Sequence, residues 1–163
     1  MRKKYPGIYY MLLTSCIALI VSVTLLIIYR YRLFDDFEIN KEKRNEIINL
    51  FYENKGIIED SILNNDVNEI KKIKEIESVD DLSDEKFKYI RLQFYYEGFA
   101  SSSIECGIIY STNHNTDYFL GPWLDEYRKK TSGSGIKYLD LVSDDNLYIE
   151  SIEDNYYYYQ QNY

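Results

Sequence analysis

The chain has 163 residues, 19 Lys+Arg against 27 Asp+Glu, one histidine and two cysteines, room for one domain plus an anchor. Arg2, Lys3, Lys4, Arg30 and Arg32 flank an apolar run, and the rest carries 14 basic against 27 acidic residues. A surface that negative repels phosphate backbones, so nucleic acid is not an expected partner.

The N-terminal segment comes first in chain order. Leu13-Thr14-Ser15-Cys16 looks like a lipoprotein cleavage site, but only Ile8 to Leu13 would serve as the apolar region before it. The charge-free run continues from Ile8 to Tyr29. At about 1.5 Å per residue it reaches roughly 33 Å, against about 30 Å for a hydrocarbon core. Tyr9, Tyr10, Tyr29 and Tyr31 stand where interfacial rings belong. The expectation is an uncleaved single-pass transmembrane anchor, with Cys16 inside it. A short basic N-terminus before one apolar helix has a signal-anchor layout, which places the N-terminus inside and the domain outside the cell membrane. The organisation is then 1–32 basic segment and anchor, 33–37 juxtamembrane linker, and 38–163 an extracytoplasmic domain.

Within that domain, Ile47, Leu50, Phe51, Ile58 and Ile62 recur at helical spacing, predicting a helix from about Glu38 that Gly56 kinks or ends. Val67, Ile70 and Ile73 predict a shorter second helix. "DDLSDEKF" reads as a turn with capping residues. "IRLQFYYE" alternates, placing Ile90, Leu92, Phe94 and Tyr96 on one face of a strand. "SIECGIIYS" offers a partner with Ile104, Cys106, Ile108 and Tyr110 together. A long irregular stretch follows, in which "WLDEYRKK" suggests one or two helical turns. "IKYLDLV" returns to strand, and "NLYIESI" with "YYYYQQ" form a terminal hairpin joined by "EDN". Helices first and strands after predict an α+β fold, one or two helices on an antiparallel sheet of about four to five strands.

The chemistry is sparse. His114 lies between Asn113 and Asn115 and reads as a solvated loop histidine. Cys106, on an apolar face with Ile104 and Ile108, reads as a core thiol rather than a nucleophile using His114 as base. Ser101-Ser102-Ser103 and Ser132-Gly133-Ser134-Gly135 lack the setting of a nucleophile elbow or phosphate loop and read as turns. No ligand spacing suggests a metal or another cofactor. Tyrosine is the surplus, with 19 in the chain and four in a row at Tyr156, Tyr157, Tyr158 and Tyr159. In a strand one pair of these faces away from the core. That pair and Trp123, in the irregular stretch, are the candidate binding surface.

"CGIIYS" followed by "DDNLYIESIEDNYYYY" is similar to a set of small uncharacterised membrane- or lipid-anchored proteins of Gram-positive bacteria. Those chains end in an Asp-Asn-x-Tyr-x-x-Glu-like, Ile-x-Asp-x-Tyr-Tyr-Tyr pattern after a Gly-x-x-Tyr-Ser strand. The matching residues are Gly107, Tyr110, Ser111, Asp145, Asn146, Tyr148, Glu150, Ile152, Asp154, Asn155 and Tyr156 to Tyr158. The resemblance implies a domain outside the membrane and supplies no activity.

The expected function is therefore binding without catalysis: an envelope protein whose acidic, Tyr-rich domain engages another protein, in an accessory or immunity-type role. A module for wall glycan or a small ligand, using Trp123 and nearby Tyr, is one alternative. A pilin-like subunit is another, suggested by Lys4 to Gly7 before the span. There Leu12 stands where that family's usual Glu would be.

Overall fold

The computed structural model describes residues 6–36, 38–99, 102–116, 119, 127–140 and 146–163. Two compact units result, Met1–Glu38 and Ile39–Tyr163.

The first unit is one helix, α1 (Pro6–Asp36). From residue 11 to residue 27 every side chain is exposed, among them Met11, Leu12, Leu19, Ile20, Leu25 and Leu26. Among the described residues no helix is long and apolar enough to cross a membrane. The ends of the expected span, 8–10 and 28–29, lie outside the residues whose side chains are described.

The second unit is α+β. Helix α2 (Lys41–Leu63) is followed by the short α3 (Val67–Ile70) and seven strands: β1 (Ser78–Asp81), β2 (Tyr89–Phe99), β3 (Ser102–Ser111), β4 (Tyr127–Ser132), β5 (Gly135–Asp140), β6 (Asn146–Glu153) and β7 (Tyr156–Asn162). All pairings are antiparallel, in the order β1-β2-β3-β7-β6-β5-β4. Two meanders thus join where β3 meets β7. The sheet is larger than the four to five strands expected, because β1 and β4 carried no readable signal. β1 is four residues long with Val79 its only apolar member. The "YRKK" half of "WLDEYRKK", where a helical turn was expected, is strand β4, the "WLDE" half lying outside the described residues, and "YRKKTS" has no apolar face to announce a strand.

Local chemistry explains the element ends. Asn40 caps α2, its side chain accepting from the Lys43 amide at 2.9 Å. Asp66 caps α3 in the same way through the Asn68 amide. In the turn after β1, Asp84 accepts from the Lys86 and Phe87 amides at 2.7 and 2.8 Å. Asn155, at φ 66°, turns the β6–β7 hairpin, and Gly133, at φ 61°, turns β4 into β5. α2 continues through Gly56 to Leu63, so the helix does not end at that glycine.

The core has two layers. Ile47, Phe51, Ile58 and Ile62 of α2 are buried on the sheet, where Ile90, Leu92, Cys106, Ile108, Tyr156 and Tyr158 are also buried. Phe51 lies 4.9 Å from Tyr156 between ring centroids. Lys43 sits over the Tyr95 ring at 4.3 Å, and Lys55 reaches Glu153 at 2.6 Å. On the opposite face Tyr89, Ile109, Tyr138, Leu147, Ile149, Tyr157 and Tyr159 form a second core, with Phe119 packed against it. Thr116 Oγ1 bonds the Tyr138 hydroxyl at 2.6 Å, and Phe119 lies 5.3 Å from Tyr157, so the segment after β3 helps cover this face. Gly107 exists for this packing. A Cβ there would fall 2.0 Å from the Leu92 carbonyl oxygen and 2.8 Å from the Tyr159 ring.

A bulge between Gln93 and Tyr95 changes the face of everything after it. Before it Leu92 is opposite Ile108; after it Tyr95 is opposite Cys106. Phe94 stays buried, but Tyr96, expected on the same face, is 45% exposed.

Candidate functional site

The two buried faces decide the fate of the tyrosine run. Tyr156, Tyr157, Tyr158 and Tyr159 are all buried, with relative exposures of 4, 5, 0 and 1%. The outward pair expected from strand alternation is therefore absent, because each pair enters its own core. Burial raises the hydroxyl pKa of all four. Tyr159 donates to Glu105 at 2.6 Å, and Tyr163 donates to the other carboxylate oxygen at 3.2 Å. The Tyr158 hydroxyl has no strong hydrogen-bond partner among the described residues, only the weakly accepting Cys106 thiol beside it. Such a group costs about 1 kcal/mol or more. Tyr158→Phe should therefore stabilise the domain by roughly 1 kcal/mol, read as a higher midpoint in urea. A fall in midpoint would mean that the hydroxyl is satisfied.

Trp123 lies outside the described residues. His114 is exposed, its Nδ1 3.4 Å from the Tyr157 hydroxyl. Cys106 is buried in the helix-side core, where desolvation pushes its thiol up to about 11. A thiol so placed is almost wholly protonated near neutral pH and unreactive. Ser132-Gly133-Ser134-Gly135 is a turn, as read from the sequence. Among the described residues no group of three His, Cys, Asp or Glu is placed to hold a metal ion.

The structure also offers a site that the sequence did not announce. A groove of about 480 Å³ opens between the start of α2 and the β4–β5 turn, with Lys41, Arg44, Ser132, Ser134, Tyr148 and Glu150 in its lining. Glu150 is buried at its floor. Arg44 donates to it through Nε at 2.6 Å and Nη2 at 2.7 Å, a bidentate pair. Ser134 donates to the same carboxylate, and Tyr148 does so at 3.2 Å. Burial alone would raise the Glu150 carboxyl; its hydrogen bonds and the Arg44 charge outweigh that and hold it below the ordinary range. The pair joins α2 to β6 across 106 residues of sequence, a separation at which no motif is visible.

A second surface is the outward side of α2. Tyr52 is 48% exposed and Leu63 78% exposed, and exposed Gly56 lies between them on the same side of the helix. Along one flank run Glu42, Glu46, Glu53 and Asp60, all exposed, at spacings of four, seven and seven. An apolar seam beside a row of carboxylates is contact area facing away from the domain's own core.

No protein-family model, curated protein or solved structure matches the chain.

Proposed function

We propose that the chain is a single-pass, membrane-anchored envelope protein that works by binding, and that its acidic domain engages another protein on the outer side of the cell membrane. The observation that carries this reading is the outward face of α2. Tyr52, Ile57 and Leu63 remain exposed although Ile47, Phe51, Ile58 and Ile62 of the same helix are buried in the core. Gly56 sits between them in the middle of a 23-residue helix. Glycine there costs about 1 kcal/mol relative to alanine, and a Cβ would meet nothing within 4 Å. The domain's own packing does not require it. Close approach of a partner backbone would. The flanking carboxylates select a partner with basic residues around an apolar centre.

Two further features support the reading. In α1 the exposed residues from Met11 to Ile27 are uncharged and mostly apolar around the helix, which is the pattern of a lipid-facing span rather than a water-facing one. Among the described residues, Glu150 is committed to Arg44 and Cys106 to the core. Anchoring raises the effective concentration near envelope partners, so a modest affinity suffices. Such a role is accessory or immunity-type.

Gly56→Ala separates contact from stability. The variant should melt a few degrees higher, from about 1 kcal/mol of helix propensity, while recovering less partner in pull-downs from crosslinked cells. Tyr52→Ala with Leu63→Asp should abolish recovery and leave melting nearly unchanged. Full recovery by these variants would show that α2's outward face is not the contact.

A further inference from the structure

The outward residues of α2 fall into two adjacent columns. At about 100° per residue, Asn45, Tyr52, Gly56 and Leu63 lie within about 40° of one another round the axis, and all four are exposed. In the next column Glu42, Glu53 and Asp60 lie within about 20° of one another, and these too are exposed. None of the three carboxylates has an ion-pair partner among the described residues, whereas Glu46 beside them pairs with Lys43 at 2.8 Å. In the first column a large side chain, a missing one and a large one follow in turn at Tyr52, Gly56 and Leu63. A Cβ at Gly56 would meet nothing within 4 Å, so a notch opens there between the two.

We infer that the partner's contact element is an α-helix lying along α2, with a large apolar residue seated at Gly56 and Lys or Arg facing Glu42, Glu53 and Asp60. This rests on the reading of α2's outward face as the protein contact and names the structure that fits it. The spacing of the carboxylates makes the choice. Glu42 to Glu53 rises about 16 Å and Glu53 to Asp60 about 10 Å. On a helix, residues eleven and seven apart match these rises and return to the same face. On a strand, at about 3.4 Å per residue, the same rises take about five and three residues. Both steps are odd and odd steps change face, so a strand turns its middle cation away. A helix meets all three carboxylates from one side. Helix axes pack about 8–10 Å apart, according to the side chains between them, and the notch at Gly56 allows the closer approach. A second copy of α2 does not fit. Its Lys43, Arg44 and Lys55 pair with Glu46, Glu150 and Glu153, and laid antiparallel it would set carboxylates against carboxylates.

The test uses the full chain in intact cells, with a benzophenone side chain placed in turn at positions 45, 52 and 63 and the attachment sites on the captured protein mapped by mass spectrometry. The three sites should follow one another along one segment of that protein, about seven and then eleven residues apart. In Glu53→Gln/Asp60→Gln the yield from position 52 should fall roughly three- to tenfold, the loss of two exposed ion pairs, with melting of the purified chain unchanged. Sites only about three and five residues apart, sites scattered over unconnected segments, or an undiminished yield in the double variant would overturn the helix. Any of these leaves the protein-binding reading standing, because a protein is still captured. No capture from any of the three positions would sink that reading and this inference together.

Discussion

An Ile108→Asp chain is expected to be unfolded at room temperature. Ile108 is fully buried at the centre of the sheet, between Leu92 on β2 and Tyr158 on β7. A carboxylate there has no cation within the helix-side core as described and must either ionise unpaired or stay protonated, at several kcal/mol in either case. Native domains hold only about 5–15 kcal/mol. Phe94→Asp should behave similarly. Tyr96→Asp should not, because the bulge at Gln93–Tyr95 carries residue 96 to an exposed position. Circular dichroism of the three variants checks the assignment. If Tyr96→Asp unfolds the domain and Phe94→Asp does not, the bulge is misplaced.

Alkali should unfold the domain cooperatively between about pH 11 and 12. Tyr156, Tyr157, Tyr158 and Tyr159 are buried and their hydroxyl pKa values are raised, chiefly by desolvation of the phenolate. Tyr163 is raised to about 12 for the same reason. An acid whose folded pKa exceeds its unfolded value contributes stability that is intact below the unfolded value, about 10 for tyrosine. That contribution is lost as pH rises toward the folded value. For each protected ring the loss at about pH 11.5 is roughly 2 kcal/mol. Four or five rings together then approach the whole stability of a domain. Tyrosinate absorbance should consequently appear in a steep step coincident with loss of circular dichroism. A gradual titration complete below pH 11 with the fold intact would show that these rings are solvated.

The sequence was most readable where one local signal acts alone. The α2 stripe of Ile47, Phe51, Ile58 and Ile62 is a period of 3.6, and the β6–β7 hairpin is announced by Asp154-Asn155 between strand-forming runs. The same held for Cys106, whose apolar neighbours at two-residue spacing placed it in the core. Alternation failed at Tyr156–Tyr159 because it assumes one wet face, and this sheet is covered on both. It failed at Tyr96 because a bulge inserts one residue without any compositional mark. Edge strands were missed for a related reason. β4, with Arg128, Lys129 and Lys130, carries the charges that discourage edge-to-edge pairing, and those charges erase its hydrophobic pattern. The groove was the least legible part. Arg44, Ser134, Tyr148 and Glu150 become neighbours only because α2, the β4–β5 turn and β6 meet, and no spacing along the chain encodes that.

The central claim, an outside domain that acts by contact through α2, is most directly tested by a photo-crosslinking residue placed at position 52 of the full chain in intact cells. Illumination should give one discrete crosslinked species, lost on Leu63→Asp and degraded by protease added to spheroplasts. An unbroken monomer band after illumination, or a crosslinked species fully protected from external protease, would contradict the account.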